Sequence, residues 1–224
     1  MDPTLTLVLA TLAFLALHVL PSTPLRALAV EAMGEGAYLG LFSLVSLAAI
    51  AWMSVAYAAA PVEALWPGLR LAPILALPLA FVLLACGLLA PNPTLVGQAG
   101  ALKGPEPARG ILRVTRHPIL WAIMLWSGSH LLALGSLRAV VFFGGFLLLA
   151  AAGTTLQDVR KAARLGEHWA RFAAVTSNIP FAAIARGRNK LVWREIGWWR
   201  PAAGLALFAL LLLFHPWLFG YRPY

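Results

Sequence analysis

Six apolar runs, each close to the length of a membrane-crossing helix, constrain this chain more than any other feature. They cover Leu5–Leu20, Gly36–Ala60, Leu71–Ala90, Pro118–Leu134, Ala139–Leu156 and Pro201–Phe219. A helix rises ~1.5 Å per residue, so about 20 residues match a hydrocarbon core ~30 Å thick. The expected fold is all-α: a polytopic membrane helix bundle of about six transmembrane helices. Composition agrees, with 61% hydrophobic and 11% charged residues, against about 45–50% and about 25% in soluble domains. Residues 1–224 are expected to form a single transmembrane domain, because the connections leave no room for a separate soluble module. Only Asp2 precedes the first run as a charge, so it lacks the basic start of a signal peptide and is expected to be retained.

The connections carry the charge. Lys and Arg in the loops after runs one, three and five number fourteen, against three after runs two and four and in the C-terminal tail. Cytoplasmic loops retain positive charge, which predicts both termini on the outer side. The +9 net charge is explained by this topology and by anionic lipid, so the expected partner is the bilayer and not nucleic acid. Gly36 and Gly40 suggest close helix approach. Pro73 and Pro78 suggest a kink in the third span. Between Gln157 and Arg200, the spacing of Arg160, Arg164, His168 and Arg171 against Leu165, Trp169 and Phe172 predicts an amphipathic cytoplasmic helix. Trp193, Trp198 and Trp199 are expected interfacial anchors. The lone Cys86 sits in an apolar run, with no CxxC or zinc spacing.

Histidines in apolar spans are functional candidates, because an unpaired imidazole in lipid is costly. His18, His130 and His215 meet that description; His117 belongs at a helix mouth between Arg116 and Pro118, where proline suits the first turn. His117 and His130 are thirteen residues apart, so on one helix they sit roughly 20 Å from each other and cannot share a site. No HExxH or mid-span carboxylate accompanies these histidines. Neutral imidazoles among Trp, Phe and Leu suit heme iron, and Trp126 shares the helix face of His130. Arg113 and Arg116 line the same mouth as His117. By depth, His18 falls on the cytoplasmic side with His117, and His130 falls nearer His215.

Gly110-x-x-Arg113-x-Thr115-Arg116-His117-Pro118, Trp126-x-x-x-His130, Gly166-x-x-Trp169-x-x-Phe172, Thr176-Ser177-x-x-Pro180-Phe181 and Gly187-Arg188 together resemble the NnrU family. The resemblance runs from about Leu5 to Arg188 and weakly to His215-Pro216. This family of multi-span proteins is linked to bacterial nitrogen-oxide metabolism and is related to plastid zeta-carotene isomerases. The resemblance implies a protein of the bacterial inner membrane that binds heme b, with His18 and His130 as the iron ligands and nitric oxide or denitrification as its context. The alternative it implies is cis–trans isomerisation of zeta-carotene or a similar hydrophobic polyene. Ser127 stands where the isomerases carry a cysteine, so the resemblance implies no thiolate ligand here. Arg116-His117-Pro118 followed by Gln157-Asp158 and Gly166-Glu-x-Trp169 is also similar to isoprenylcysteine-type membrane methyltransferases. That similarity implies, as a second alternative, methyl transfer from S-adenosylmethionine, although Gln157 replaces one of the paired acids.

Overall fold

The structure is a computed structural model that describes residues 1–106 and 108–223. Its helices are α1 (Pro3–Val19), α2 (Leu25–Met33), α3 (Glu35–Ala59), α4 (Leu71–Leu88), α5 (Pro118–Leu134), α6 (Leu137–Leu165), α7 (Glu167–Val175), α8 (Ala182–Ala185), α9 (Trp193–Ile196) and α10 (Trp199–Phe219). Short 3₁₀ turns occupy Leu20–Ser22, Ala99–Lys103 and Gly110–Arg113. The segments containing α1, α3, α4, α6 and α10 are long and apolar enough to cross a membrane, and α5 is a shorter apolar helix of 17 residues. The chain is therefore a helical membrane bundle, with the apolar runs in the expected places.

Three local features differ from the sequence reading. First, α6 does not stop at Leu156 but continues to Leu165, for 29 residues. At ~1.5 Å per residue it is about 44 Å long, so its last turns, with Asp158, Arg160 and Lys161, outrun a ~30 Å core. Second, the expected amphipathic helix is divided: Gly166, at φ +50°, ends α6 and starts α7. Arg160 and Arg164 therefore sit on α6, whereas His168 and Arg171 lie on the exposed face of α7 opposite buried Trp169 and Phe172. Third, a Cβ at Gly36 or Gly40 meets nothing within 4 Å, so neither glycine serves close packing within the described chain. The expected prolines are in α4, with Pro73 in its first turn and Pro78 inside it.

The chain divides into two compact units, Met1–Leu69 with His130–Leu149, and Arg70–Ser129 with residues from Ala150 onward. In the first unit, α1 lies along α3, and the N-terminal half of α6 meets α1 where Thr11 faces Gly145 and Phe14 packs on Phe146 at 5.0 Å. The connection after α3 docks on the turn between α5 and α6. Leu65 and Trp66 donate backbone N–H to the Gly135 carbonyl, and Leu69 donates to Leu132. A Cβ at Gly68 would lie 1.9 Å from the Ala133 carbonyl oxygen, so only glycine allows this approach. Arg138 anchors the same region by donating to Ala60 and lying over the Tyr57 ring.

The second unit pairs α4 with α10 at a crossing where a Cβ on Gly204 would lie 2.5 Å from the Phe81 carbonyl oxygen. One buried apolar cluster joins Ala80, Leu83, Cys86, Ile111, Val114, Ala122 and Ile196. Another joins Leu102, Ala108, Leu112, Trp169 and Phe172, which fixes α7 under the 3₁₀ turns. These clusters hold the polar segment Gly110–His117 in place between apolar layers.

Candidate functional site

In the second unit, the segment before α5 is built around Arg113. Gly110 adopts φ +59° against the Glu195 carbonyl, where any side chain would be strained, and this turns Arg113 inward. The Arg113 guanidinium donates from Nε to Glu195 Oε2 at 2.7 Å, from Nη2 to Glu195 Oε1 and Glu106 Oε2 at 2.9 Å each, and from Nη1 to Asn189 Oδ1 at 2.8 Å. Glu195 also accepts the Gly110 N–H at 2.8 Å. The hydrogen bond from Arg113 holds the Glu195 carboxyl below the usual carboxylate range, and the same contact raises Arg113 above its ordinary value.

A second polar centre follows directly. His117, the residue before α5, is fully buried as a side chain and pairs through Nε2 with Asp158 Oδ1 at 2.8 Å. Arg116 donates to Asp158 Oδ2 at 3.1 Å, so one carboxylate near the end of α6 holds both residues. Burial pushes Arg116 below its ordinary value, opposed by Asp158 and reinforced by Arg188. The loop after α7 closes the centre: Asn178 accepts from Thr115 Oγ1 and Trp121 Nε1 on its carbonyl, and its amide donates to Thr154 on α6. His117 Nδ1, Arg116 Nε and Asn178 Oδ1 are buried with no hydrogen-bond partner among the described residues. With Nε2–H donated to the carboxylate, Nδ1 carries the lone pair. Such a nitrogen can accept a hydrogen bond.

The spans hold the other candidates. In the first unit, His18 on α1 is bonded through Nδ1 to the Phe14 carbonyl at 2.8 Å and packs against Phe14 at 4.3 Å and Phe42 at 5.5 Å. His130 on α5 stacks almost parallel on Phe143, with ring centroids 5.1 Å apart. Ring contacts run from His18 through Phe14, Phe146, Phe142 and Phe143 to His130. In the second unit, half-buried Trp126 lies one turn before His130 in sequence, and buried Ser127 donates to the Ile123 carbonyl of its own helix. His215, near the end of α10, bonds the Tyr221 carbonyl at 2.8 Å and packs on Phe219. His168 is exposed on α7 and faces Arg171. The structure thus brings Arg116 and His117 together on Asp158 and gives Arg113 its own cluster, while His18, Trp126, His130 and His215 lie in apolar spans.

The donor chemistry of His18 fits heme. A ring nitrogen bonded to a backbone carbonyl leaves Nε2 as the coordinating lone pair, which is how metal-bound histidines are commonly oriented. The surrounding phenylalanines supply the apolar environment that heme requires.

Sequence reasoning missed Glu195, Glu106 and Asn189, and it noticed Asp158 only through the methyltransferase similarity. The available signal was scarcity: eight acidic residues in the chain face seventeen basic ones, so a semi-buried arginine had few possible partners.

Comparison with known proteins gives three findings. Segments of 82 residues, 37% of this chain, are 38% identical to the 15-cis-zeta-carotene isomerases of chloroplasts from Zea mays and Arabidopsis thaliana. Each match spans 22% of the length of that curated relative. No solved structure matches the chain. The family described as NnrU protein matches residues 6–223, nearly the whole sequence. The chain belongs to the NnrU family.

Proposed function

We propose that this protein acts on a hydrophobic cis-polyene inside the bilayer, isomerising cis double bonds to trans, with a heme b bound through His18 or His130, between which four phenylalanine rings stand. The observation that carries this reading is the 38% identity to two 15-cis-zeta-carotene isomerases. The first unit is chemically suited to it. Between α1 and α3 lies a groove of about 540 Å³, lined by Ala13, Ala16, Leu17, Leu20, Val45, Ala48, Ala49 and Trp52. Four alanines leave room for a hydrocarbon chain, and no lining side chain carries a charge. Heme iron would supply an electron-withdrawing, redox-active centre near such a chain. The protein's own part is to orient His18 through the Phe14 carbonyl and to exclude water with the Phe14, Phe142, Phe143 and Phe146 rings.

The test is expression in a bacterium that accumulates tri-cis zeta-carotene, with the isomers separated by chromatography, alongside an absorbance spectrum of the purified protein. Conversion together with a Soret band supports the proposal. Replacing His18 or His130 by Ala is expected to remove the band or change the spin state, whereas His168→Ala leaves it intact. An unchanged spectrum in both span variants would overturn the ligand assignment.

Ser127 favours a second reading, a heme protein of nitrogen-oxide metabolism in the bacterial inner membrane. Its hydroxyl is bonded to its own helix, and a hydroxyl is a far poorer soft-metal donor than the thiolate of the resembled isomerases. A Soret shift on adding nitric oxide to the reduced protein, without polyene conversion, selects this reading. Termini on the outer side are part of both readings. A cysteine at Lys190 is then labelled only from the cytoplasm and one at Glu63 only from outside.

A further inference from the structure

The second unit contains a cavity that neither reading uses. It measures about 290 Å³ and lies between the loop after α4, the Gly110 turn and the start of α10. Its apolar wall includes Cys86, Ile111 and Ile196, all nearly inaccessible and part of one buried cluster. Its polar wall has four charged residues, Glu106, Arg109, Glu195 and Arg200.

These charges are not equivalent. Both carboxylates are already bonded to Arg113. Arg200 is fixed by carbonyls: Nε donates to Leu89, and Nη1 donates to Glu195 and Ile196. Its Nη2 takes no part in those bonds. The Arg109 side chain is exposed and makes no hydrogen bond or ion pair with the described residues, its charge reaching Glu195 only at longer range. With Arg113 counted, three guanidiniums face two carboxylates around the cavity, leaving one positive charge unmatched. An unmatched guanidinium beside a concave apolar wall recognises an anion that carries a hydrocarbon part.

We infer that this cavity binds an anionic amphiphile, its phosphate or carboxylate head at Arg109 and Arg200 and its chain against Cys86, Ile111 and Ile196. The head chemistry is shared by an anionic lipid of the surrounding bilayer and by a separate single-chain amphiphile. A neutral or cationic head lacks the match to Arg109, and a free inorganic anion leaves the apolar wall unused.

The full chain purified in neutral detergent tests this. Cys86 is the one cysteine in the sequence, so Ala90→Cys on a Cys86→Ala background places a single, half-exposed thiol in the cavity wall. Its rate of reaction with a small methanethiosulfonate is followed by mass. Dodecyl phosphate at about ten times its dissociation constant is expected to slow the reaction about tenfold. Adding Arg109→Gln is expected to abolish most of that protection at the same concentration. Protection by phosphatidylglycerol nanodiscs over phosphatidylcholine nanodiscs assigns the site to bilayer lipid; protection only by added dodecyl phosphate assigns it to a separate amphiphile. Equal protection by dodecyltrimethylammonium, equal protection by inorganic phosphate, or no protection by any anionic amphiphile overturns the inference. So does full protection surviving Arg109→Gln.

Discussion

The two units solve the same problem, holding helices together in a chain that is mostly apolar, by different physics. The first unit relies on shape. Its histidines and phenylalanines meet ring to ring, and its close approaches occur at Gly68, Gly135 and Gly145. The first unit has an exposed Arg26–Glu35 pair, whereas the second adds paired charge on buried side chains, with Arg113 shared among Glu195, Glu106 and Asn189, and with Asp158 shared between Arg116 and His117. In a membrane interior apolar contact scarcely favours one helix neighbour over another, so specificity comes from close packing or from polar pairing. The difference predicts that the first unit tolerates changes of charge environment and fails on added volume, while the second is sensitive to lost partners.

The sharpest break should come at Arg113. Arg113→Ala removes four side-chain hydrogen bonds and leaves the Glu195 carboxylate, only 18% accessible, without its cation. Breaking a buried pair from one side costs about 3–5 kcal/mol. Unfolding of the purified protein in detergent should show a loss in that range, with Arg113→Lys rescuing little because ammonium lacks the planar fork. A loss under ~1 kcal/mol would mean that the network is not what holds this segment.

Volume tests the first unit next. Gly68→Ala puts a methyl 1.9 Å from a backbone oxygen that no rotamer can move. Overpacking of this kind costs about 1–3 kcal/mol. Gly40→Ala, inside α3 with nothing within 4 Å, should instead gain about 0.5–1 kcal/mol from helix propensity. If both changes have the same sign, the picture of a unit held by close approach at particular glycines is wrong.

The asymmetry between units also explains what was legible in the sequence. Apolar runs mark spans because length and hydropathy are local properties, so the helical bundle followed from them, as did Pro118 opening α5. The motif residues Arg113, Arg116 and His117 were visible as a polar patch at the mouth of α5. Their partners were not: Arg113 and Glu195 are 82 positions apart, and His117 and Asp158 are 41 apart. Pairing over such separations depends on tertiary approach, which no local pattern encodes. The end of α6 was misplaced because hydropathy falls at Gln157 while helical propensity continues through Arg160, Lys161 and Arg164 until Gly166. Charge ended the apolar run but did not end the helix.

A smaller effect than Gly68→Ala separates the two polar centres of the second unit. Asp158→Asn keeps the shape but removes the charge that Arg116 and His117 share. Hydrogen bonds to charged groups contribute about 1.5–3 kcal/mol each, but the amide retains an acceptor oxygen. The expected loss is therefore about 1–2 kcal/mol, below that for Arg113→Ala. Trp121, which donates to the same loop through Asn178, should report the change as altered fluorescence. Destabilisation larger than that of Arg113→Ala would make Asp158, and not Arg113, the anchor of the unit.

The smallest predicted effect is in pH, and its sign follows from Glu195. The carboxyl is held below its ordinary value, first by the hydrogen bond from Arg113 and also by the Gly110 N–H and the charges of Arg113 and Arg109. A carboxylate whose folded value is depressed stabilises the fold fully above its unfolded value, near about 4.3 for glutamate. That contribution is lost as pH falls from there through the lower folded value. Raising pH from 5 to 8 leaves it unchanged, because Glu195 is ionised in both states across that range and Arg113 is raised still further above it. Unfolding measured in detergent at successive pH values should therefore show a loss on acidification below about 4.3 that is smaller in Glu195→Gln than in the parent. The difference between the two profiles isolates Glu195 from the other acids, Asp158 and Glu106 included. If the profiles run parallel, the carboxylate is not stabilised by its arginine in the folded state, and the contrast between a charge-held and a shape-held unit fails at its best-defined contact.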